Sequence, residues 1–233
     1  MSAQDEPSIF DKLHEALTKG LIPIGVECLR LLPDSFVLGT AILAGLSMSK
    51  SYGILLFTMF ELMLGQRAFA AIISGIMPVG AGPDVFQQIC QPGFSFPNNM
   101  RISILETIGT PSMFPSPTMF FLSGVISYMI SAMQNFGREI KSLSGDIEVR
   151  TQVALGLSLL FMLVTLVFRY SYGCESFGTL LLSSVLGFIV GTLIVYQNIA
   201  LFGRDGINIL NIPVIQTALE QGKPMYVCGP SDI

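Results

Sequence analysis

Long apolar runs separated by polar connections set the pattern of this chain. Residues 36–48 form an apolar run that stops at Ser49-Lys50-Ser51, too short to cross a bilayer alone, since a crossing helix needs about 20 residues. This run therefore reads as a tilted span or as half of a re-entrant hairpin. Residues 52–77 are long enough to cross, and three further apolar blocks follow at 116–133, 153–168 and 177–195. None shows the strict alternation of a half-buried strand, and their lengths suit helices. The pattern thus predicts an all-α, multi-pass transmembrane helical bundle of four to six membrane helices. The range reflects whether residues 36–78 make one crossing or two, and whether residues 21–34 enter the membrane.

Polar segments divide the rest. Residues 1–34 form a polar lead-in, in which Ile9, Leu13, Ala16 and Leu17 recur at helical spacing between Ser8 and Gly20. That spacing predicts a short amphipathic helix packed on its own protein. Residues 35–196 would hold the membrane bundle, and residues 79–114 a long loop rich in Gly, Pro and Asn, of a length that usually caps a fold or carries function. Residues 134–152 read as a solvated connection. Residues 197–233, with Pro213, Pro224 and Pro230, read as an extramembrane tail. Lys and Arg divide almost evenly between the two faces of a five-crossing chain. A single net crossing over 36–78 concentrates them on one face, so the positive-inside rule favours both termini on the cytoplasmic side.

Composition sharpens the class. Hydrophobic residues make up 51% of the chain and charged residues 12%, about half the charged fraction of an ordinary soluble domain. A net charge of -4 with no basic stripe argues against nucleic-acid binding. The acidic opening Met1–Pro7 lacks the basic start of a secretory leader, Ser2 is not the glycine that myristoylation requires, and Cys228 is not placed for prenylation. Attachment to the membrane is therefore expected through the helices themselves. Cys28, Cys90, Cys174 and Cys228 show no metal-ligand spacing, which leaves two readings: four free thiols, or a disulfide between Cys90 and Cys174 in loops on one side of the membrane. No cofactor or metal is expected.

Three ionisable or amide residues, Glu61, Gln66 and Arg67, interrupt the second block and should face protein, water or an interface. Six positions apart, Glu61 and Arg67 lie about 240° apart around a helix and are not a natural pair. Gly187 and Gly191, one turn apart in the last block, suit close approach of a neighbouring helix.

Two segments carry a family resemblance. Phe114-Pro115-Ser116-Pro117-Thr118-Met119-Phe120-Phe121-Leu122, opening a helix, resembles the Pro-Ser-Gly-His segment of the type 2 phosphatidic acid phosphatase superfamily. The stretch from Arg169 to Thr179 is similar to that family's Arg-x5-His-x3-Asp segment, and Leu186-Gly187-x3-Gly191 is similar to its glycine-bearing last helix. The resemblance implies a phosphate site at a junction of helices. It also places the general-acid histidine at Thr118, the nucleophilic histidine at Glu175 and the orienting aspartate at Thr179, leaving only Ser116 and Arg169 of the family type. The family's Lys-x6-Arg-Pro segment has no counterpart.

Phosphohistidine chemistry needs a nucleophilic imidazole and a second proton donor, and the chain has one histidine, His14, in the polar lead-in. No Walker loop, dinucleotide fingerprint, nucleophile elbow or His-Glu-x-x-His helix occurs. The expectation is a catalytically inactive membrane protein with a structural or interaction role. Its partners would be membrane lipid and other membrane or capsid proteins, reached through 79–114 and 197–233, as in the inner membrane of a large icosahedral DNA virus, which it resembles in character. The alternatives are a divergent lipid phosphatase using Ser116, Arg169 and Glu175, and a transporter built around Glu61, Gln66 and Arg67.

Overall fold

The computed structural model describes residues 19–20, 22–76, 90–95, 101–109, 114–137 and 145–209. The predicted amphipathic helix before Gly20, His14, most of 79–114 and the tail beyond 209 lie outside the described residues. Helix α1 (Ile22–Ser47) and helix α2 (Lys50–Ile76) are joined by Met48 and Ser49 alone. Met48 adopts φ 48°, and the Ser49 carbonyl accepts from the Gly53 amide at 3.1 Å, so the chain reverses within two residues. A short antiparallel pair, β1 (Phe94–Ser95) with β2 (Arg101–Ile102), leads into α3 (Ile104–Ile108). Three long helices follow: α4 (Pro117–Asn135), α5 (Gly145–Ser171) and α6 (Phe177–Phe202), the last ending in a 3-10 turn over Arg204–Ile207.

Hydrogen bonds between distant residues fix the directions. Lys50 Nζ donates to Phe202 O and Ser51 Oγ to Asp205 O, both at 3.2 Å, so α2 begins where α6 ends. Gln66 Nε2 donates to Pro115 O at 3.0 Å, placing the far part of α2 at the start of α4. Successive long helices therefore alternate in direction. One end of the bundle, here the basal end, gathers Lys50, Asn135 and Phe202; the other, the capped end, gathers Ser116, Arg169 and Glu175.

Helix α4 runs through the middle. Every residue from Pro117 to Tyr128 is buried, and Phe120, Phe121 and Tyr128 share one core cluster with Met59, Leu62 and Met63 of α2 and Ile194 and Val195 of α6. Its parallel neighbour α6 approaches closely because of two glycines. A Cβ on Gly187 would lie 2.2 Å from Phe120 O, and one on Gly191 would lie 2.1 Å from Gly124 O, distances that no side chain tolerates. The expected close packing at Gly187 and Gly191 is thus present, and the contact brings α4 hydroxyls to α6: Ser127 Oγ donates to Phe188 O at 2.6 Å and lies 2.7 Å from Thr192 Oγ1.

The outer surface is apolar. Leu157, Leu160, Phe161, Leu163 and Val167 of α5 and Leu182, Ile189 and Leu193 of α6 are all exposed. In water such continuous apolar surface would drive association, whereas in a bilayer it faces its own solvent. Four helices are long and apolar enough to cross a membrane: Ile22–Ser47, Lys50–Gly75, Val149–Ser171 and Phe177–Phe202. The all-helical, membrane-spanning architecture expected from the sequence is therefore borne out. Helix α4 falls outside this group for a physical reason: it faces protein on all sides, so it carries Thr118, Ser123 and Ser127 where a lipid-facing helix would carry Leu or Val.

Three sequence readings change. Residues 22–34 are not a lead-in but the first half of α1, although Pro33 lies inside it. Its polar residues have partners within the protein: Arg30 pairs with Glu27 at 2.6 Å, and Asp34 Oδ1 accepts from the amides of Ile104 and Leu105 at 2.9 Å each, satisfying donors at the start of α3. With α1 and α2 forming a complete hairpin, one net excursion over 36–78 gives way to two antiparallel helices, and the start of α1 and the end of α6 lie at opposite ends of the bundle. The last block extends past Val195, so Gln197 and Asn198 belong to α6 and not to a tail.

Candidate functional site

The capped end holds a buried ion pair. Arg169 lies in the last turn of α5, where a cation complements the helix dipole, and Glu175 lies in the short turn before α6, where an anion does. Gly173, at φ 67°, supplies the left-handed residue that this turn requires. Arg169 Nε donates to Glu175 Oε2 at 2.8 Å and the Nη2 nitrogen to Oε1 at 2.6 Å, a bidentate fork between side chains only 8% and 4% exposed.

Two further contacts close the arrangement. Ser116, the residue before α4, donates its hydroxyl to Glu175 Oε1 at 2.8 Å and its amide to Ser183 Oγ of α6 at 2.7 Å. The remaining terminal nitrogen of Arg169 donates to Cys90 O at 3.1 Å. Cys90 is disulfide-bonded to Cys174, next to Glu175, with Cα atoms 5.4 Å apart, so of the two readings of the cysteines the bonded one holds for this pair. Cys28 is an exposed free thiol. The starts of α4 and α6, the end of α5 and the segment after α2 are thereby tied at one point.

Of the five positions that the phosphatase resemblance selects, Ser116, Arg169 and Glu175 come together. Thr118 is buried beside them in α4, but its hydroxyl has no hydrogen-bond partner. Thr179 does not join them: it is half-buried on the first turn of α6, where its amide donates to Ser176 Oγ at 3.3 Å as part of the helix cap. Each charged group of the cluster has its partner within the protein. Both Glu175 oxygens accept, and Nε and both terminal nitrogens of Arg169 each donate once within the protein, so the guanidinium edge that would grip a phosphate holds the Glu175 carboxylate instead.

A second polar cluster lies deeper, between α2, α4 and α6. Glu61 is half-buried and accepts from Gln197 Nε2 at 2.7 Å, while Asn198 Nδ2 donates to Thr58 Oγ1 at 2.8 Å and Tyr128 OH at 3.3 Å. Glu61 therefore finds its partner on another helix, as its angular separation from Arg67 implied. Gln66 is buried against Pro115, and Arg67 is exposed. Sequence reading singled out Glu61 but missed Thr58, Tyr128, Gln197 and Asn198. The Gln197-Asn198 pair carried a signal only if the last helix was continued to Phe202.

Among the described residues no group of three His, Cys, Asp or Glu side chains could hold a metal ion. In comparisons with protein-family models, with curated proteins and with solved structures, nothing matches this chain.

Proposed function

We propose that this is an integral membrane scaffold: a helical bundle that presents its connecting segments and C-terminal region to other proteins and carries no catalysis of its own. The observation that supports this most directly is the mutual pairing of Ser116, Arg169 and Glu175. A phosphoryl-transfer site needs free donors aimed at the transferring oxygens and a base or nucleophile free to act. Here the guanidinium, the carboxylate and the hydroxyl satisfy one another under a disulfide, which is how a structural tie is built. On this reading the likeness to type 2 phosphatidic acid phosphatases is one of scaffold with the chemistry gone. The partners are membrane lipid and a protein layer over the membrane, such as the minor capsid proteins of a virion.

The test has two arms. Purified protein in lipid nanodiscs, offered phosphatidic acid or a polyprenyl phosphate, should release no phosphate above that of a Glu175→Gln variant. Crosslinking in the native membrane should join residues 79–114 or 210–233 to other proteins. Turnover lost in Glu175→Gln would replace the scaffold by an enzyme, and crosslinks to lipid alone would remove the scaffold role.

A further inference from the structure

The Glu61 cluster stands apart from the capped end and lacks a positive charge. Glu61 lies eleven positions beyond Lys50, about 16 Å along α2 and well inside a bilayer whose hydrocarbon core is about 30 Å thick. A carboxylate at that depth is normally matched by a cation. Glu61 takes part in neither the Arg30–Glu27 nor the Arg169–Glu175 ion pair. Its one hydrogen bond comes from the neutral amide of Gln197.

Two oxygens in this cluster are buried without a partner: Glu61 Oε2 and Asn198 Oδ1. They belong to side chains held in adjacent networks. Thr58 and Glu61 are one turn apart on α2, Gln197 and Asn198 are consecutive on α6, and the α4 residue Tyr128 meets the Asn198 amide. Asn198 and Thr58 are fully buried, so bulk water does not satisfy them. Buried acceptors in such a setting are ordinarily paired. Asn198, Thr58 and Tyr128 thus form one hydrogen-bonded network and Glu61 with Gln197 a second, one helical turn along α2 and one position along α6 from the first, and each network leaves one buried oxygen that a donor or a cation would satisfy.

We propose that Glu61 and Asn198, supported by Thr58 and Tyr128, form an intramembrane binding site for a single monovalent cation, either a proton or an alkali ion. One positive charge neutralises the carboxylate, and the two orphaned oxygens supply acceptors for it. Lone divalent ions fit less well, because one carboxylate and neutral oxygens leave a net positive charge in hydrocarbon. Tyr128 is the titratable group facing Glu61 from α4, and α6 contributes the neutral Gln197 and Asn198. Lys50, Arg204 and Asp205 lie at the basal end, where Lys50 is bound to Phe202 O and Arg204 to Asn135 O.

The experiment uses the full chain in nanodiscs of neutral lipid and compares it with Glu61→Gln, which keeps a side-chain oxygen for Gln197 and removes the charge. Melting temperature and the infrared carboxyl bands are followed in two series: sodium or potassium replacing choline at fixed pH, and pH varied in choline alone. The expected result is a saturable upward shift of melting temperature in the wild type that is absent in Glu61→Gln. A shift in the alkali series identifies the ion as the alkali cation. A shift confined to the pH series, with a protonated-carboxyl band lost in Glu61→Gln, identifies the proton. The proposal is overturned if wild type and Glu61→Gln respond alike in both series, with Glu61 remaining an ionised carboxylate throughout. In that case the Asn198 amide is turned so that its nitrogen meets Glu61. Should Glu61→Gln not fold, Thr58→Val with the same readouts, expected to weaken the cation response, takes its place.

Discussion

At the residue scale, the energetics of the capped end follow from what each partner leaves behind. Removing one member of a buried ion pair strands the other in a place without water, which commonly costs about 3–5 kcal/mol, whereas replacing both with apolar groups often costs little. Arg169→Ala and Glu175→Gln are therefore each expected to lower thermal stability in detergent sharply, while Arg169→Met with Glu175→Leu loses less than the sum of the single changes. A double-mutant cycle read by thermal unfolding checks this, and additive losses would mean that the two groups are not coupled. The sequence made these positions visible only through the phosphatase likeness. Nothing in the chain announced that Ser116 would give its hydroxyl to Glu175 or that Cys90 O would accept from Arg169, because those contacts span 59 and 79 positions. Thr179 shows the opposite case: a local signal, Ser176 three positions earlier, assigns it to a helix cap, and the cap took it.

At the element scale, α4 and α6 form the tightest contact, and its basis is the absence of side chains at two positions. Gly187→Ala and Gly191→Ala each force a methyl group into the α4 backbone, so the helices must separate, at a cost of about 1–3 kcal/mol for an overpacked interior. Gly156→Ala and Gly178→Ala add a methyl group to open surface on α5 and α6 and remove a flexible residue from a helix, so stability should hold or rise. Melting temperatures of the four variants in one lipid test the contrast, and equal losses at all four sites would refute it. The glycine spacing was legible in the sequence, but the identity of the partner helix was not. The start of α1 was misread for a related reason: Arg30, Pro33 and Asp34 look like a polar connection until α3 is present to use the Asp34 carboxylate.

For the whole molecule, alternating helix directions set the two ends apart, and the disulfide distinguishes them. Among the described residues both ends carry cations, Lys50, Arg150 and Arg204 at the basal end and Arg67, Arg101 and Arg169 towards the capped end, so charge does not choose an orientation. Disulfides persist in oxidising compartments, so the end bearing Cys90–Cys174 should face away from the reducing side of the membrane, with Lys50, Arg150 and Arg204 on the other. In a chain with Cys28 and Cys228 replaced by Ala, an impermeant maleimide should label only after reduction, and only from the non-cytoplasmic side. Labelling without reduction would remove the bond, and labelling from the cytoplasm would invert the orientation.

What the sequence by itself determined was the solvent and the secondary structure: long apolar runs with few charges can satisfy their backbone in lipid only as helices, whatever their neighbours. It also marked the residues that cannot face lipid, among them Glu61 and Gln66. The tertiary structure alone decided which helix becomes the centre, because a helix surrounded by protein can carry serine and threonine and so reads as less membrane-like than its lipid-facing neighbours. It alone decided, too, that Arg169 pairs with Glu175 and that Glu61 meets Gln197 of α6. Those are matters of distance between elements far apart in the chain, and no local propensity encodes them.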